Sequence, residues 1–341
     1  MSEPRCSLVI RTYNEEKHIG RLLSGVLQQT LQDIEIILVD SGSTDATLAI
    51  ASRYPVEVVS IRPEDFTYGR SLNVGCRTAA GQFLVFASAH VYPVYPDWLE
   101  RLLAPFADEK VALSYGKQRG DNRTRFSETQ VFAKMFPSQS NVKQTHPFCN
   151  NANAAIRRKL WLKQPYDESL SGLEDLAWAS WALEQGHYLA YAAEAEVIHV
   201  HEESPHQIYN RYRREAIALA HIRPQEHFNF FDLIRFFFGN AASDLRAAWN
   251  QHRFLQEVRK ILEFRWMQFW GTYQGFRYAG PVTREMIRTF YYPNHQASLH
   301  EEVDRKVKRL DYASRVGAHK AQNGGEREET PDRQDADVRH D

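Results

Sequence analysis

Four short apolar runs recur through the front of the chain: SLVI at 7–10, IEIILV at 34–39, VEVVS at 56–60 and FLVFA at 83–87, with helix-compatible segments between them. This alternation constrains the fold more than any other feature. Strands that read as near-continuous apolar runs must be buried on both faces, and strands joined by helical crossovers run parallel. The spacing predicts helices over 19–29, 46–53 and 71–80, with Ser43 and Thr44 as caps for the second. An open parallel sheet binds ligands at the carboxyl ends of its strands. Two polar segments fall there, Asp40 with the turn after it and Ser88-Ala89-His90. The sequence has no Gly-x-Gly-x-x-Gly after the first strand and no Gly-x-x-x-x-Gly-Lys-Ser/Thr, which argues against dinucleotide and P-loop sites.

With 341 residues, 43% of them hydrophobic, the chain can bury one large domain and an appendage. A formal charge of −1 excludes a globally basic nucleic-acid binder, but the charge is uneven: 205–316 is basic, the residues before it mildly acidic and those from 317 acidic. Strand-like runs cease after Pro205, and helices rich in Arg and aromatics follow, clearest at 207–221 and 254–269. The expected organisation is an α/β domain over 1–204, a helical section over 205–316 and a disordered tail over 317–341. Cys6, Cys76 and Cys149 are far apart and form no Cys-x-x-Cys, as in a reducing compartment. The segment MSEPRCSLVI lacks the layout of a signal peptide, and FNFFDLIRFFFG at 228–239 is too short and too charged to span a bilayer. The expectation is a cytoplasmic protein.

Four segments in fixed order then resemble the inverting glycosyltransferases of family 2: VIRTYNEE (9–16), ILVDSGSTD (37–45), NVGCRTAAG (73–81) and GLEDLAW (172–178). VIHVHEES at 197–204 resembles the strand that closes the same catalytic domain, and the whole is similar to bacterial polysaccharide and rhamnosyltransferase-like members. The resemblance implies the GT-A fold, a doubly wound, mostly parallel sheet followed by the helical section. It also implies a nucleotide-diphosphate sugar as donor. Acids at strand ends can accept hydrogen bonds from a base N–H and from ribose hydroxyls. By resemblance Asp40 meets the base, Thr12, Tyr13 and Glu15 line the base and ribose pocket, and Arg70 and Asn73 approach the pyrophosphate. Taken alone, Asp40 reads as a turn acid, Glu15 as a helix-start acid and Arg70 as a surface charge.

Most relatives end the fourth strand in an Asp-x-Asp-like metal motif, and this chain departs from it with Ser88 and His90. His199 and His201 alternate on a later strand and so share one face. Three readings of His90 stand: a metal ligand with His199 or His201, a direct contact to the pyrophosphate, or a hydrogen-bonded structural residue. Imidazole suits Mn and other transition metals, whereas Mg prefers oxygen. A divalent metal, Mn or Mg, is therefore an open expectation.

Transfer with inversion needs a base for the acceptor hydroxyl. The family's acidic pair matches Glu174-Asp175, which implies Asp175 as base and Glu174 as an orienting or acceptor-binding partner; on their own, two acids at a helix start favour its dipole. In the segment PFCNNANAAIRR at 147–158, Asn151 and Asn153 are placed by resemblance beside sugar and acceptor.

Expected partners are thus a nucleotide-diphosphate sugar and a glycan or polyprenol-linked acceptor. The aromatic and Arg-rich helices suit the inner face of a membrane, or equally a helical subdomain or homo-oligomer interface. Two competing functions remain: a non-catalytic nucleotide-sugar-binding protein with a degenerate metal motif, and, less well supported, a nucleotidyltransferase.

Overall fold

A computed structural model describes residues 3–277 of the chain. Among the described residues, nine strands form one sheet. The first half is parallel: β1 (Cys6–Thr12) lies between β2 (Ile34–Asp40) and β4 (Phe83–Ser88), and β3 (Glu57–Ser60) flanks β2. The second half is mixed. β8 (Asn153–Arg157) pairs antiparallel with both β4 and β6 (Val111–Arg119), whereas β6 runs parallel to β9 (Tyr188–His199). Two short strands, β5 (Val91–Pro93) and β7 (Asn141–Gln144), pair antiparallel with β9.

The continuous apolar runs are explained by two cores on opposite faces. Leu8, Ile10, Leu38, Val85 and Ala87 belong to one cluster, and Val9, Ile37, Val39, Leu84 and Phe86 to the other. Alternate residues point to opposite faces of a strand. Helix α1 (Ile19–Val26) covers the first face and α3 (Tyr68–Thr78) the second. The second crossover helix, α2 (Thr47–Ala51), is shorter than the sequence pattern suggests. Its cap also differs: Ser43 and Thr44 do not cap it, and Asp45 accepts from Thr47 N at 3.0 Å instead. Asp at that place satisfies an orphan helix N–H as well as Ser or Thr does.

Between β4 and β9 lie α4 (Trp98–Leu103), α5 (Phe126–Met135), α6 (Arg158–Trp161) and α7 (Glu174–Glu184). Gly186, at φ 80°, ends the turn after α7 in the left-handed region that glycine tolerates. Three helices follow: α8 (Pro205–Ile222), opened by a capping box between Ser204 and Gln207, α9 (Phe230–Asn250) and α10 (Phe254–Phe276), seven residues longer than its sequence pattern suggests. Leu176 of α7 shares an apolar cluster with Leu219, Phe236 and Phe269 of these helices. Arg265 of α10 is buried, binds Asp244 of α9 through two hydrogen bonds and donates to Ser127 O of α5. The helical section is therefore packed onto the α/β domain through both apolar and charged contacts. The 317–341 tail lies outside the described residues.

Candidate active site

The strand register brings the motif residues together. Thr12 and Asp40 are partners at the ends of β1 and β2, and Arg11 is opposite Ser88 at the end of β4. Two loops then interlock. Asn14, at φ 54°, has its N–H accepted by Ser43 Oγ and accepts from Thr44 N at 2.8 Å; Glu16 accepts from Ala46 N at 3.0 Å. Asp40 Oδ2 accepts from Gly42 N and Ser43 N at 3.0 Å each, closing a turn that needs Gly42 at φ 93°. The turn uses only one carboxylate oxygen. Asp40 Oδ1 and Thr12 Oγ1 are both buried without a hydrogen-bond partner among the described residues. Two unpaired polar atoms side by side are costly unless something fills them. Tyr13, next in the chain after Thr12, is exposed.

The acid pair sits on the far side of Arg11. Arg11 Nη1 donates to Glu174 Oε1 at 3.2 Å, and its guanidinium lies 4.8 Å from the Tyr68 ring centre. Asp175 is held by two backbone donors, Asn151 N at 3.0 Å and Leu176 N at 2.8 Å. Burial, then the charge of Glu174, raises Asp175 to about 7, against the lowering effect of those hydrogen bonds and of Arg11. The preceding Leu173 is in the left-handed region at φ 56°. For a bulky side chain that is strain, which accumulates at functional sites.

Three imidazoles close the other side. β4 ends at Ser88, and the chain turns at His90 into β5, which zips antiparallel to the end of β9; Val200 N donates to His90 O at 3.2 Å. This puts His90 against His199 and His201, with ring centres 5.1 and 5.6 Å away. One candidate ligand atom from each of the three lies within 4.8 Å of the other two. Every Nδ1 is already engaged: His90 with Glu15 at 2.8 Å, His199 with Gln118 at 2.7 Å and His201 with Glu128 at 2.7 Å. His199 Nε2 is buried and unpartnered among the described residues. Burial first, then His201, His90 and Arg211, pushes His199 well below the usual imidazole range, so it is neutral. Burial alone would raise Glu128, but His201 and Arg211 outweigh it and hold it at about 2.

Several sequence assignments change. Asn73 donates to Tyr166 O and Glu168, and accepts from Trp161 Nε1 and Tyr166 N. Its amide has no capacity left for a pyrophosphate. Asn153 is likewise consumed, donating to Lys117 O and Ala195 O and accepting from Trp98 Nε1. Both are buried braces. Asn151 differs: its Oδ1 receives the Tyr166 hydroxyl at 3.4 Å, but its Nδ2 is buried and unpaired among the described residues. Arg70 is exposed and lies 3.8 Å from Glu168. Sequence reasoning assigned no role to Arg11, Gln118, Glu128 or Arg211, because each meets its partner across a large sequence separation.

Taken together, the contacts run unbroken from Asp40 and Thr12 through Arg11 and Glu174 to Asp175, then by Asn151 and Ala152, whose carbonyl accepts from Ser88 N, to Ser88 and His90. The turn at Asp40, the acid pair and the histidines thus lie at the same, carboxyl end of the sheet.

Residues 7–162 match the model of Glycosyl transferase family 2. The chain is 29% identical over 229 residues to the O-antigen chain rhamnosyltransferase WbaN of Salmonella anatum, covering 61% of this chain and 70% of that protein. It is 27% identical over 228 residues to the O-antigen chain rhamnosyltransferase RfbN of Salmonella typhimurium, with the same coverages. Among solved structures, the mannosyltransferase PcManGT from Pyrobaculum calidifontis, in complex with GDP-Man and Mn2+, superposes with a TM-score of 0.53 at 18% identity, over 85% of this chain and 88% of that one. S. aureus TarS 1-349 in complex with UDP gives 0.51 at 18% identity, over 80% and 90%. Over residues 7–162 the chain carries a domain of Glycosyl transferase family 2, and its described residues have the GT-A fold.

Proposed function

We propose that this enzyme moves a sugar, with inversion, from a nucleotide-diphosphate donor to a hydroxyl of a glycan or lipid-linked glycan in surface-polysaccharide synthesis. The observation that carries the reading is Asp175: a buried carboxylate, oriented by two backbone N–H groups and raised to about 7 beside Glu174. A base with that proton affinity is matched to an acceptor hydroxyl near neutral pH. Asp175 takes the acceptor proton as its oxygen attacks the anomeric carbon and the nucleoside diphosphate departs. Glu174, held by Arg11, fixes the pair and keeps Asp175 basic. Thr12 Oγ1 and Asp40 Oδ1 supply the unpaired atoms for the donor's base and ribose, with Tyr13 over them. Asn151 Nδ2 is free for a sugar hydroxyl.

A divalent cation fits the three histidines. Three nitrogen donors converge there, and the orphaned His199 Nε2 is the atom such an ion would satisfy. When bound, the ion supplies charge stabilisation to the departing diphosphate. Transfer from a panel of nucleotide sugars, compared between wild type and Asp175→Asn, tests the reading; full activity in that variant overturns it.

The acceptor side supports docking on an anionic lipid surface. No helix of the described residues is long and apolar enough to cross a membrane. On α9, Phe231, Arg235, Phe238, Ala242, Arg246 and Trp249 recur at helical spacing on the exposed face, with the three aromatics 83%, 63% and 68% exposed. The exposed charges on α9 and α10 are basic, whereas Asp232, paired with Arg235, and Glu263 are half-buried and Asp244 and Glu257 are buried. Aromatics with Arg on one helix face suit an anionic interface. Co-sedimentation with anionic but not zwitterionic vesicles, lost in Phe231→Ser/Trp249→Ser, is the expected result; a dimer in light scattering with no vesicle binding overturns it.

A further inference from the structure

We infer that His90, His199 and His201 form a nitrogen-only cation centre that takes late first-row divalent metals, Co2+, Ni2+ or Zn2+, in preference to Mg2+, with Glu15, Gln118 and Glu128 as its positioning residues. The inference rests on the donor-binding reading above and deepens it, naming the class of ion and the residues that select it.

The tautomers carry the first step. The carboxylate oxygens of Glu15 and Glu128 accept hydrogen bonds, which puts the proton on Nδ1 of His90 and His201, and the Gln118 amide, oriented with its oxygen toward the ring, does the same for His199. A neutral imidazole protonated at Nδ1 presents its lone pair at Nε2. The same three bonds fix each ring's orientation and raise its basicity, which is how ligating histidines are held in metal sites. His199 Nε2, buried without a partner, is the atom this predicts to be waiting.

The donor set carries the second step. The site substitutes imidazole for the oxygen ligands that Mg2+ requires, and affinity for nitrogen donors rises along the first transition row. The carboxylates of the positioning residues are already engaged: Glu15 with His90, and Glu128 with His201 and with Arg211, which donates to it at 2.8 Å and forms an ion pair with Glu203 at 2.6 Å. The second group of metal-compatible side chains, Glu128, His201 and Glu203, is explained by that same guanidinium. Three protein ligands leave open positions for diphosphate oxygens, as in other sites that bind a metal and a substrate together.

The test uses the full chain without donor. Co2+ titration followed by visible absorption should show one ion per chain, displaced by Zn2+ and retained in millimolar Mg2+. His199→Ala and His90→Gln should abolish the signal, and Glu128→Gln should weaken it roughly 10- to 100-fold. Should Glu128→Gln unfold, His90→Gln, with a side chain 27% exposed, still decides the matter. Displacement of Co2+ by equimolar Mg2+, or wild-type Co2+ binding in both histidine variants, overturns the inference. Sugar transfer without Co2+ binding would sink the centre alone. A Co2+ centre that holds the selectivity, in a chain that transfers no sugar, would instead sink only the transfer reading.

Discussion

Arg11 and Glu174, 163 residues apart in sequence, meet at 3.2 Å between the end of β1 and the start of α7. The pair joins the strand end that carries Thr12 to the acid pair, and its charge reaches Asp175. Arg11 lowers the proton affinity of Asp175, while burial and Glu174 raise it. Removing the guanidinium in Arg11→Gln should therefore move Asp175 further up. Transfer at pH 7 should fall and recover partly as pH is raised, which a pH–rate profile of kcat reads directly.

Asp175→Asn should lower kcat by roughly 10²- to 10⁴-fold, the range of a positioned general base, with the donor Kd unchanged. Wild-type kcat should rise with pH through about 7 and then level off. Stability runs the opposite way. The folded carboxyl keeps its proton up to about 7, whereas the unfolded one loses it near 3.8, so the wild type loses stability as pH rises between those values. Relative to wild type, the Asn variant should gain Tm above pH 7 in differential scanning calorimetry.

Thr12→Val separates binding from folding. The hydroxyl it removes is buried and unpaired, so the variant should be at least as stable as wild type. Its loss should weaken donor affinity by about 1 kcal/mol, or roughly fivefold, the net value of one hydrogen bond. Isothermal titration with nucleoside diphosphates and urea denaturation measure the two effects.

Asn73→Ala should do the reverse. Four hydrogen bonds tie that amide to Trp161, Tyr166 and Glu168. Truncation leaves several of those groups unpaired and should cost about 2–4 kcal/mol in denaturant unfolding. At temperatures where the variant stays folded, donor affinity should be unchanged.

The parallel half of the sheet was legible because its apolar runs are forced by burial on two faces, and Leu8, Val9 and Ile10 divide between those faces as the pattern requires. Asp40, His90 and the Glu174-Asp175 pair were legible as polar groups at strand ends and a helix start. What the sequence could not carry was competition for hydrogen bonds. Asn73, Asn151 and Asn153 look alike as letters, yet only Asn151 keeps an unspent donor. Whether an amide is spent depends on which carbonyls lie within 3 Å, and those are set by packing. Glu128 and Arg211 were invisible for the same reason: neither stands in a motif, and each acquires meaning only through the ring of His201.

The reach of Arg211 has a consequence for where this enzyme can be divided. Its helix begins after residue 204, at the boundary a sequence reader would choose for a minimal catalytic fragment, yet its guanidinium neutralises a carboxylate buried under the histidines. A chain ended at 204 would leave Glu128 with His201 as its hydrogen-bond partner but without the Arg211 guanidinium, and would uncover the apolar side of Leu176. Such a fragment should express poorly and lose donor-dependent thermal protection, a comparison that scanning fluorimetry makes at once. Modular on paper, the catalytic half carries a splint from its neighbour, and the two halves can be exchanged between relatives only with that arginine and its glutamate travelling together.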